Sequence, residues 1–292
     1  MKSQKNEIAE VSPGIFIELP KKLSSFQKIQ RRLFQLFQSF FSKKFQLPLN
    51  TIKDYSKRYS SERELYYYKK VALAGFYGEE EWTIKKALGN ADHIKKILIV
   101  GSGTGREAFA LEKMNPTYKI TGIDISQAMT DAANSFKLSS SRIDFVCSEV
   151  KDMNEKFDVV FISFSVINHI HGNENRVQFL KDCLEILPKG GILLNGYFLR
   201  KINPLDRFFI SSVILKIRWA FTGGWEKGDI LQSYLGHHND TKDLEYFHFY
   251  QDDDEIRNEL EQISNIEWEK LGTPAEVFNG GLNHYYMLKK TT

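Results

Sequence analysis

Three glycines at alternate positions follow a short apolar run in this sequence. Gly101, Gly103 and Gly105 come directly after residues 97–100, and an amphipathic stretch follows them. Glycine has no Cβ atom, so the backbone can turn sharply and a ligand can lie against the main chain. A dinucleotide fingerprint needs another glycine where this chain has Arg106, and a P-loop needs Gly-Lys-Ser/Thr; neither is present. The segment predicts a strand, a ligand-binding turn and a helix.

Further candidate ligand-binding residues follow the next two β-rich runs. Asp124 follows the second run, where a carboxylate can accept hydrogen bonds from ribose hydroxyls; a solvated turn residue is the alternative. Glu149 and Val150 follow the third run, and there they could bind the edge and the face of an adenine ring. A helix cap is the alternative for Glu149. Ile125 and Met129 could cover the other face of the ring.

The elements that must position these residues can be inferred from hydrophobic patterning. Short runs rich in Ile, Val, Leu and Phe alternate with amphipathic stretches, at residues 97–101, 119–124, 142–147, 157–163 and 191–198. Such alternation is typical of βαβ units, in which helices cover both faces of a parallel sheet. A final helix is predicted at 252–263, followed by strands at 266–272 and 282–290.

Four motifs in this order carry a resemblance to a known family. VGSGTGRE, GIDIS, FDVVFISFSVINHI and LPKGGILL resemble motifs of the class I S-adenosylmethionine-dependent methyltransferases. The resemblance implies a Rossmann-like α/β fold, a seven-stranded sheet of six parallel strands and one antiparallel strand with helices on both faces. It also implies S-adenosylmethionine as cofactor and S-adenosylhomocysteine as product. Glu149 replaces a more frequent Asp, and Ser102 stands where Cys or Ala is common; neither change removes a needed group.

The resemblance also implies roles for individual residues around the cofactor. The residues expected to form the loop beneath the methionine moiety are Gly101, Ser102, Gly103 and Gly105. Asp124 is expected to bind the ribose, and Glu149 and Val150 the adenine. Ser163 is expected beside the methionine moiety and the transferred methyl group.

Methyl transfer from a sulfonium needs alignment and exclusion of water, so a catalytic base is optional. Where a proton must leave, His169 is the first candidate, because it follows the fourth strand at the mouth of the sheet. His248 and Tyr250 precede the last helix and are expected to return over the same mouth. For each histidine, a packing role is the alternative. His237 and His238 resemble a partial ligand set, but adjacent histidines chelate poorly, and no metal site is predicted.

The two segments outside the alternating pattern are expected to form a lid over the sheet. We predict a helical N-terminal extension at 1–92, a methyltransferase core at 93–198 and 249–292, and a substrate-side insertion at 199–248. The lid should bring Tyr55, Tyr59, His248 and Tyr250 toward the methyl group. Within the extension, residues 24–45 combine an aromatic stripe with basic flanks. This stripe is expected to pack on the core, and peripheral membrane contact is the alternative.

Composition and charge restrict the class of protein. The chain has 292 residues, of which 42% are hydrophobic and 26% charged, values typical of a globular protein. Neither a signal peptide nor a membrane span is recognised, and Cys147 and Cys183 both lie in apolar segments, which suggests buried thiols and a cytoplasmic location. Residues 1–92 carry 17 Lys and Arg against 10 Asp and Glu.

These observations lead to one principal hypothesis and two alternatives. We expect a methyltransferase that acts on oxygen or nitrogen of a small, partly apolar or aromatic acceptor. The basic N-terminal third leaves tRNA or another nucleic acid as an alternative acceptor. A non-catalytic cofactor-binding protein of the same fold is the second alternative. The sequence does not identify the acceptor.

Overall fold

The first part of the structure combines a small hairpin with three helices. The computed structural model describes residues 8–12, 15–18, 52–76, 78–89, 96–163, 165–199, 226–232, 245–271 and 283–292. The described chain begins with β1 (Ile8–Ser12) and β2 (Ile15–Glu18), which pair antiparallel. Helices α1 (Ile52–Tyr59), α2 (Glu62–Val71) and α3 (Gly78–Leu88) follow. The prediction of a wholly helical extension is therefore wrong at its start, because β-branched and aromatic residues concentrated in β1 and β2 favour strands.

A seven-stranded sheet forms the centre of the molecule. From its first strand onward, the helices and strands are β3 (Lys96–Val100), α4 (Arg106–Met114), β4 (Lys119–Asp124), α5 (Gln127–Phe136), β5 (Ile143–Cys147), β6 (Val159–Ile162), α6 (Asn173–Glu185), β7 (Ile192–Phe198), β8 (Asp229–Gln232), β9 (Glu245–His248), α7 (Asp253–Leu260), β10 (Ile266–Leu271) and β11 (Asn283–Lys290). The strand order is β10-β11-β7-β6-β3-β4-β5. Only β11 runs antiparallel to its neighbours in this sheet. The predicted sheet of six parallel strands and one antiparallel strand is confirmed.

Both faces of the sheet are buried, as a parallel sheet requires. Successive side chains of β3 alternate between two apolar clusters: Leu98 belongs to the cluster with α6 and α7, and Ile99 to the cluster with α3 and α4. Both side chains are fully buried. This double coverage explains why β3 is a continuous apolar run.

The carboxyl ends of the central strands meet at one edge of the sheet. The backbone N–H groups of Gly101 and Ser102, just after β3, both donate to the carbonyl of Ile123 in β4. On the other side of β3, Ser163 N–H donates to the carbonyl of Val100. The residues that follow β3, β4 and β6 therefore surround one crevice, which is the usual position of a ligand in an open α/β sheet.

A short 3₁₀ turn, Val166–His169, crosses this edge and is attached to the segment after β7. The buried side-chain amide of Asn168 donates to the carbonyl of His248 at 2.7 Å. Asn168 Oδ1 accepts from Phe198 N–H at 3.3 Å. Strands β8 and β9 form an antiparallel hairpin beside this turn. Asn168 therefore links the 3₁₀ turn to both β7 and β9.

The structure corrects one expectation about the cysteines and leaves others outside its range. Cys183 is buried in α6, but Cys147 is exposed. Cys147 ends β5, an edge strand that the neighbouring elements cover only partly.

The predicted aromatic stripe at 24–45 and the pair His237 and His238 lie outside the described residues. Among the described helices, none is long and apolar enough to cross a membrane.

Candidate active site

The glycine loop after β3 has a conformation that depends on glycine. Gly101 has φ +75°, and a Cβ atom there would overlap the side chain of Val166. Gly105 has φ +93°, and a Cβ atom there would lie 2.6 Å from the ring of Phe145 and 2.8 Å from that of Phe109. L-residues rarely adopt such positive φ values. Two positions of the motif are therefore restricted to glycine both by backbone conformation and by space.

Asp124, at the end of β4, stabilises this loop through hydrogen bonds. Its Oδ2 accepts from Gly103 N–H at 2.9 Å and its Oδ1 from Ser126 N–H at 2.9 Å. Burial raises the pKa of the carboxyl group, and the backbone hydrogen bonds oppose this rise. A carboxylate oxygen can accept more than one hydrogen bond, so Asp124 keeps acceptor capacity toward the crevice. Its predicted contact with a ribose is compatible with this arrangement and stays a prediction.

One cavity of about 550 Å³ occupies the crevice. The residues of the predicted cofactor set that line it are Gly101, Ser102, Gly103, Asp124, Ile125, Met129, Glu149, Val150 and Ser163. Gly105 is buried behind the loop and shapes it by conformation. Glu149 precedes a 3₁₀ turn without capping it through its side chain, and its Oε2 lies 2.9 Å from Lys151 Nζ. The cavity thus brings the predicted cofactor residues together.

The other end of the cavity is aromatic and is built from distant parts of the chain. Helix α1 contributes Tyr55 and Tyr59. Tyr67 and Tyr68 of α2 also line the cavity, and Tyr68 lies against the glycine loop, where Thr104 Oγ1 donates to its carbonyl at 2.8 Å. Tyr55 donates its hydroxyl proton to the carbonyl of His169 at 2.7 Å, and the two rings meet edge-to-face with centroids 5.8 Å apart. Further along this wall, the lining residues are Ile170, His171, Asn175, Phe179 and Asp182. The described part of the N-terminal extension therefore covers the crevice, and lid movement stays a prediction.

His169, the first candidate base, lines this end of the cavity. Burial lowers its pKa to about 4, and the positive charge of Arg58 lowers it further, although a hydrogen bond with the Tyr246 main chain opposes the shift. The imidazole is therefore neutral at neutral pH. A neutral imidazole nitrogen can accept a hydrogen bond from an O–H or N–H group of a ligand.

Comparison with known proteins places this geometry in a family context. Residues 97–191 match the model of a family described as a methyltransferase domain. The chain is 28% identical over 141 residues to demethylmenaquinone methyltransferase of Thermotoga maritima, covering 46% of this chain and 57% of that protein. It is also 28% identical over 114 residues to pluviatolide O-methyltransferase of Sinopodophyllum hexandrum, covering 38% of this chain and 29% of the relative. The matches thus span less than two thirds of either curated relative.

Solved structures agree on the fold. A crystal structure of an S-adenosylmethionine-dependent methyltransferase from Clostridium acetobutylicum superposes with a TM-score of 0.51 at 15% identity, covering 79% of this chain and 98% of that one. Residues 97–191 of this chain thus match a methyltransferase domain, and the sheet has the class I, Rossmann-like fold of S-adenosylmethionine-dependent methyltransferases.

The residues of this methyltransferase domain fit the cofactor in shape and in charge. The glycine loop leaves its main chain open to a ligand, and Asp124 and Glu149 supply acceptors for hydroxyl and amino groups. Ile125, Met129 and Val150 supply an apolar surface for a ring. Four acidic side chains line the cavity, against the two basic side chains Arg106 and Lys151; the acidic residues are Glu107, Asp124, Glu149 and Asp182. An excess of carboxylates suits a cofactor that carries a sulfonium and an ammonium group.

Sequence reasoning missed a buried ionic network beneath the loop of the methyltransferase domain. Ser163 Oγ donates to Glu107 Oε1 at 2.5 Å, and Arg106 Nη2 donates to the same oxygen at 2.8 Å. Arg106 also forms two hydrogen bonds with Glu80 of α3. The available signal was the Arg-Glu pair directly after the glycine loop, since charged residues in the first turn of a buried helix need partners.

The structure does not place His248 and Tyr250 in the wall of the cavity. Both side chains are fully buried. Tyr250 donates to Glu259 Oε2 at 2.7 Å and packs edge-to-face on Tyr197. The expectation that both residues face the acceptor is wrong, because the strand that ends at His248 runs behind the 3₁₀ turn and directs them into the core of the methyltransferase domain. His169 alone of the three candidates lines the cavity.

His248 instead belongs to a buried acidic cluster. Its Nδ1 lies 2.7 Å from Asp229 Oδ1, which also accepts from the Tyr246 hydroxyl at 2.6 Å. Ligand atoms of Glu226, Asp229 and His248 lie within 4.8 Å of one another, a spacing that could hold a metal ion. Arg176 Nη2, however, donates to Glu226 Oε2 at 2.6 Å. The guanidinium thus already supplies a positive charge next to this cluster.

Proposed function

We propose that this protein transfers the methyl group of S-adenosylmethionine to an oxygen or nitrogen atom of a small, partly apolar or aromatic acceptor. The observation that supports this most directly is that one cavity has two chemically different ends. One end offers the glycine loop and Asp124, and the other offers a tyrosine-rich wall with His169. Two ligands bound at these ends would share one enclosed space, as direct group transfer requires.

The two ends would have different tasks. When bound, S-adenosylmethionine supplies a methyl group on a positively charged sulfur, which is an activated leaving group. The glycine loop and Asp124 would hold this cofactor in one orientation. Tyr55, Tyr59 and Phe179 would bind an aromatic acceptor through ring contacts and exclude water from the cavity.

His169 would orient the acceptor through its ring. Since its pKa is about 4, the neutral imidazole is a weak base and a competent hydrogen-bond acceptor. A hydrogen bond from the acceptor O–H or N–H to this ring would direct the opposite lone pair toward the methyl group. The Tyr55 hydroxyl holds the main chain of His169 and so supports the position of the ring.

Two measurements test this proposal. Titration calorimetry with S-adenosylhomocysteine should show one site per chain, and absence of binding at millimolar ligand would refute it. Phenols, catechols and aromatic amines should then be screened with methyl-labelled S-adenosylmethionine, and transfer to at least one of them is expected. The variant His169→Asn should retain cofactor binding and lose most of the transfer.

The same screen separates the alternatives. Methylation of RNA, with affinity that falls steeply as salt rises, would favour a nucleic-acid acceptor for the basic N-terminal third. Tight cofactor binding without transfer to any small molecule or nucleic acid would favour a non-catalytic protein of the same fold.

The domain boundaries at residues 92, 198 and 248 belong to the proposal as well. Limited proteolysis should cut within 1–92 and 199–248 more slowly when cofactor and acceptor are both present.

A further inference from the structure

The carboxylate of Glu107 lines the cavity and accepts hydrogen bonds through only one of its two oxygens. The residue lies in the first turn of α4, is only 3% exposed and lines the cavity. Both of its hydrogen bonds, from Ser163 and Arg106, reach Oε1. Oε2 accepts no hydrogen bond from any residue in the part of the chain that the structure describes. A buried carboxylate with a free oxygen can bind a donor, and a positively charged donor best of all.

The guanidinium of Arg106 is shared between two carboxylates. Its Nη1 and Nη2 donate to the two oxygens of Glu80 at 2.5 and 2.7 Å, and Nη1 also donates to the carbonyl of Gly75. Glu107 receives a single N–H group from the same guanidinium. Glu80 is 1% exposed, so both carboxylates are removed from water. Burying a carboxylate is costly unless it is well paired, so a further cation in the cavity would stabilise Glu107.

The position of Glu107 indicates which part of a cofactor it meets. Asp124, which is predicted to bind the ribose, and the apolar Ile125 and Met129 lie on the β4 side of the glycine loop and suit a nucleoside. Glu107 and Ser163 lie on the opposite side, because β6 pairs with β3 on that edge. A cofactor with a nucleoside at one end must place its amino-acid end on this β6 side.

We propose that Glu107, held by Ser163, binds the α-ammonium group of the methionine part of the cofactor. This inference rests on the proposed function. The ammonium group has three N–H donors, whereas the sulfonium has none, so a carboxylate oxygen with free acceptor capacity matches the ammonium. Glu107 is then a binding residue that selects ligands carrying the amino-acid end.

Three ligands distinguish this role from a merely structural one. S-adenosylmethionine carries the ammonium and the sulfonium, S-adenosylhomocysteine carries only the ammonium, and 5′-methylthioadenosine carries neither. Titration calorimetry should show that Glu107→Gln lowers affinity for the first two at least tenfold. Its affinity for 5′-methylthioadenosine should stay within twofold of the unsubstituted protein. Asp131→Asn, on the exposed surface of α5, is the matched control and should leave all three affinities unchanged.

Ser163→Ala provides a second, milder variant in case Glu107→Gln folds poorly. It removes one of the two hydrogen bonds that orient Glu107 and should weaken S-adenosylhomocysteine binding with the same selectivity. Equal loss of all three ligands, no loss, or loss of S-adenosylmethionine alone would overturn the inference. If the unsubstituted protein bound none of them, the proposed function itself would fail, and the two failures are thus distinguishable.

Discussion

The two ends of the cavity are built in different ways. At the cofactor end, the glycine loop and Asp124 come from adjacent strands, and much of the binding surface is main chain fixed by positive φ values. At the proposed acceptor end, the wall includes side chains from α1, the 3₁₀ turn and α6. Tyr55 and His169, which are in direct contact, are 114 residues apart in sequence.

This difference separates a general site from a specific one. A surface made of main chain depends on backbone conformation and tolerates few substitutions, so it suits a ligand common to many proteins. A surface made of side chains can change its shape and polarity without altering the sheet. We therefore expect substitutions in the glycine loop and at Asp124 to weaken cofactor binding, and substitutions at the proposed acceptor end to affect turnover selectively.

The largest effect is expected from Gly101→Ala. Alanine in this left-handed conformation costs ~1–2 kcal/mol of stability, and its Cβ atom would overlap Val166, so the loop should shift away from its ligand-binding conformation. If binding must restore that conformation at a cost of ~1–3 kcal/mol, S-adenosylhomocysteine affinity should fall by about 10- to 100-fold. Gly190→Ala is the matched control, because Gly190 has φ +81° and open space around its Cβ position. It should lose similar stability from strain but keep its affinity in calorimetry. Equal affinities for the two variants would contradict a main-chain site at the loop.

Asp124→Asn should have the next largest effect. The amide cannot accept from Gly103 and Ser126 with both of its polar atoms, and it loses the charge that favours ribose hydroxyls. We expect a loss of ~1–3 kcal/mol in S-adenosylhomocysteine binding by calorimetry. Asp144→Asn, at an exposed position of β5, should bind normally. Since burial raises the pKa of Asp124, binding to the unsubstituted protein should also weaken on acidification sooner than an ordinary aspartate would allow.

The contrast between the two ends explains what could be predicted from the sequence. The strands around Asp124 and the glycine loop were predictable because apolar runs and glycine spacing are local features. The burial of Tyr250 and His248 was not, because it depends on partners such as Glu259 and Asp229, which form no sequence motif with them. The role of Glu107 as a cavity residue likewise depends on the distant Ser163.

The two buried histidines should show opposite pH dependence of stability. Burial lowers the pKa of His169 to about 4, so this histidine takes up a proton at higher pH in the unfolded chain than in the folded one. The free energy of unfolding therefore falls as pH drops from 6.5 toward 4. For His248, burial lowers the pKa, but bonds to Asp229 and Glu255 outweigh this, and its pKa is raised above 6.5. The contribution of His248 to the free energy of unfolding is therefore complete below pH 6.5, and it is lost as pH rises through the raised pKa.

Urea unfolding of His169→Asn and His248→Asn across pH 4–9 measures both contributions. His169→Asn should remove a slope of up to ~1.4 kcal/mol per pH unit on the acidic side. His248→Asn should remove a slope of opposite sign on the alkaline side. His171→Asn, at a half-buried position in the same loop, serves as the reference. If the two variants removed slopes of the same sign, the predicted difference between His169 in the cavity and His248 in the buried cluster would be wrong.

The smallest and most selective effect is expected from Tyr55→Phe. The substitution keeps the ring but removes the hydrogen bond to the carbonyl of His169, a loss of ~0.5–1.5 kcal/mol. For an acceptor identified by the screen, kcat/KM should therefore fall by about two- to tenfold, while S-adenosylhomocysteine affinity stays unchanged. Tyr66→Phe, on the same helical pair and 64% exposed, should change neither quantity. If Tyr55→Phe weakened cofactor binding as much as turnover, the aromatic wall would support the cofactor directly. The two ends of the cavity would then act as one site.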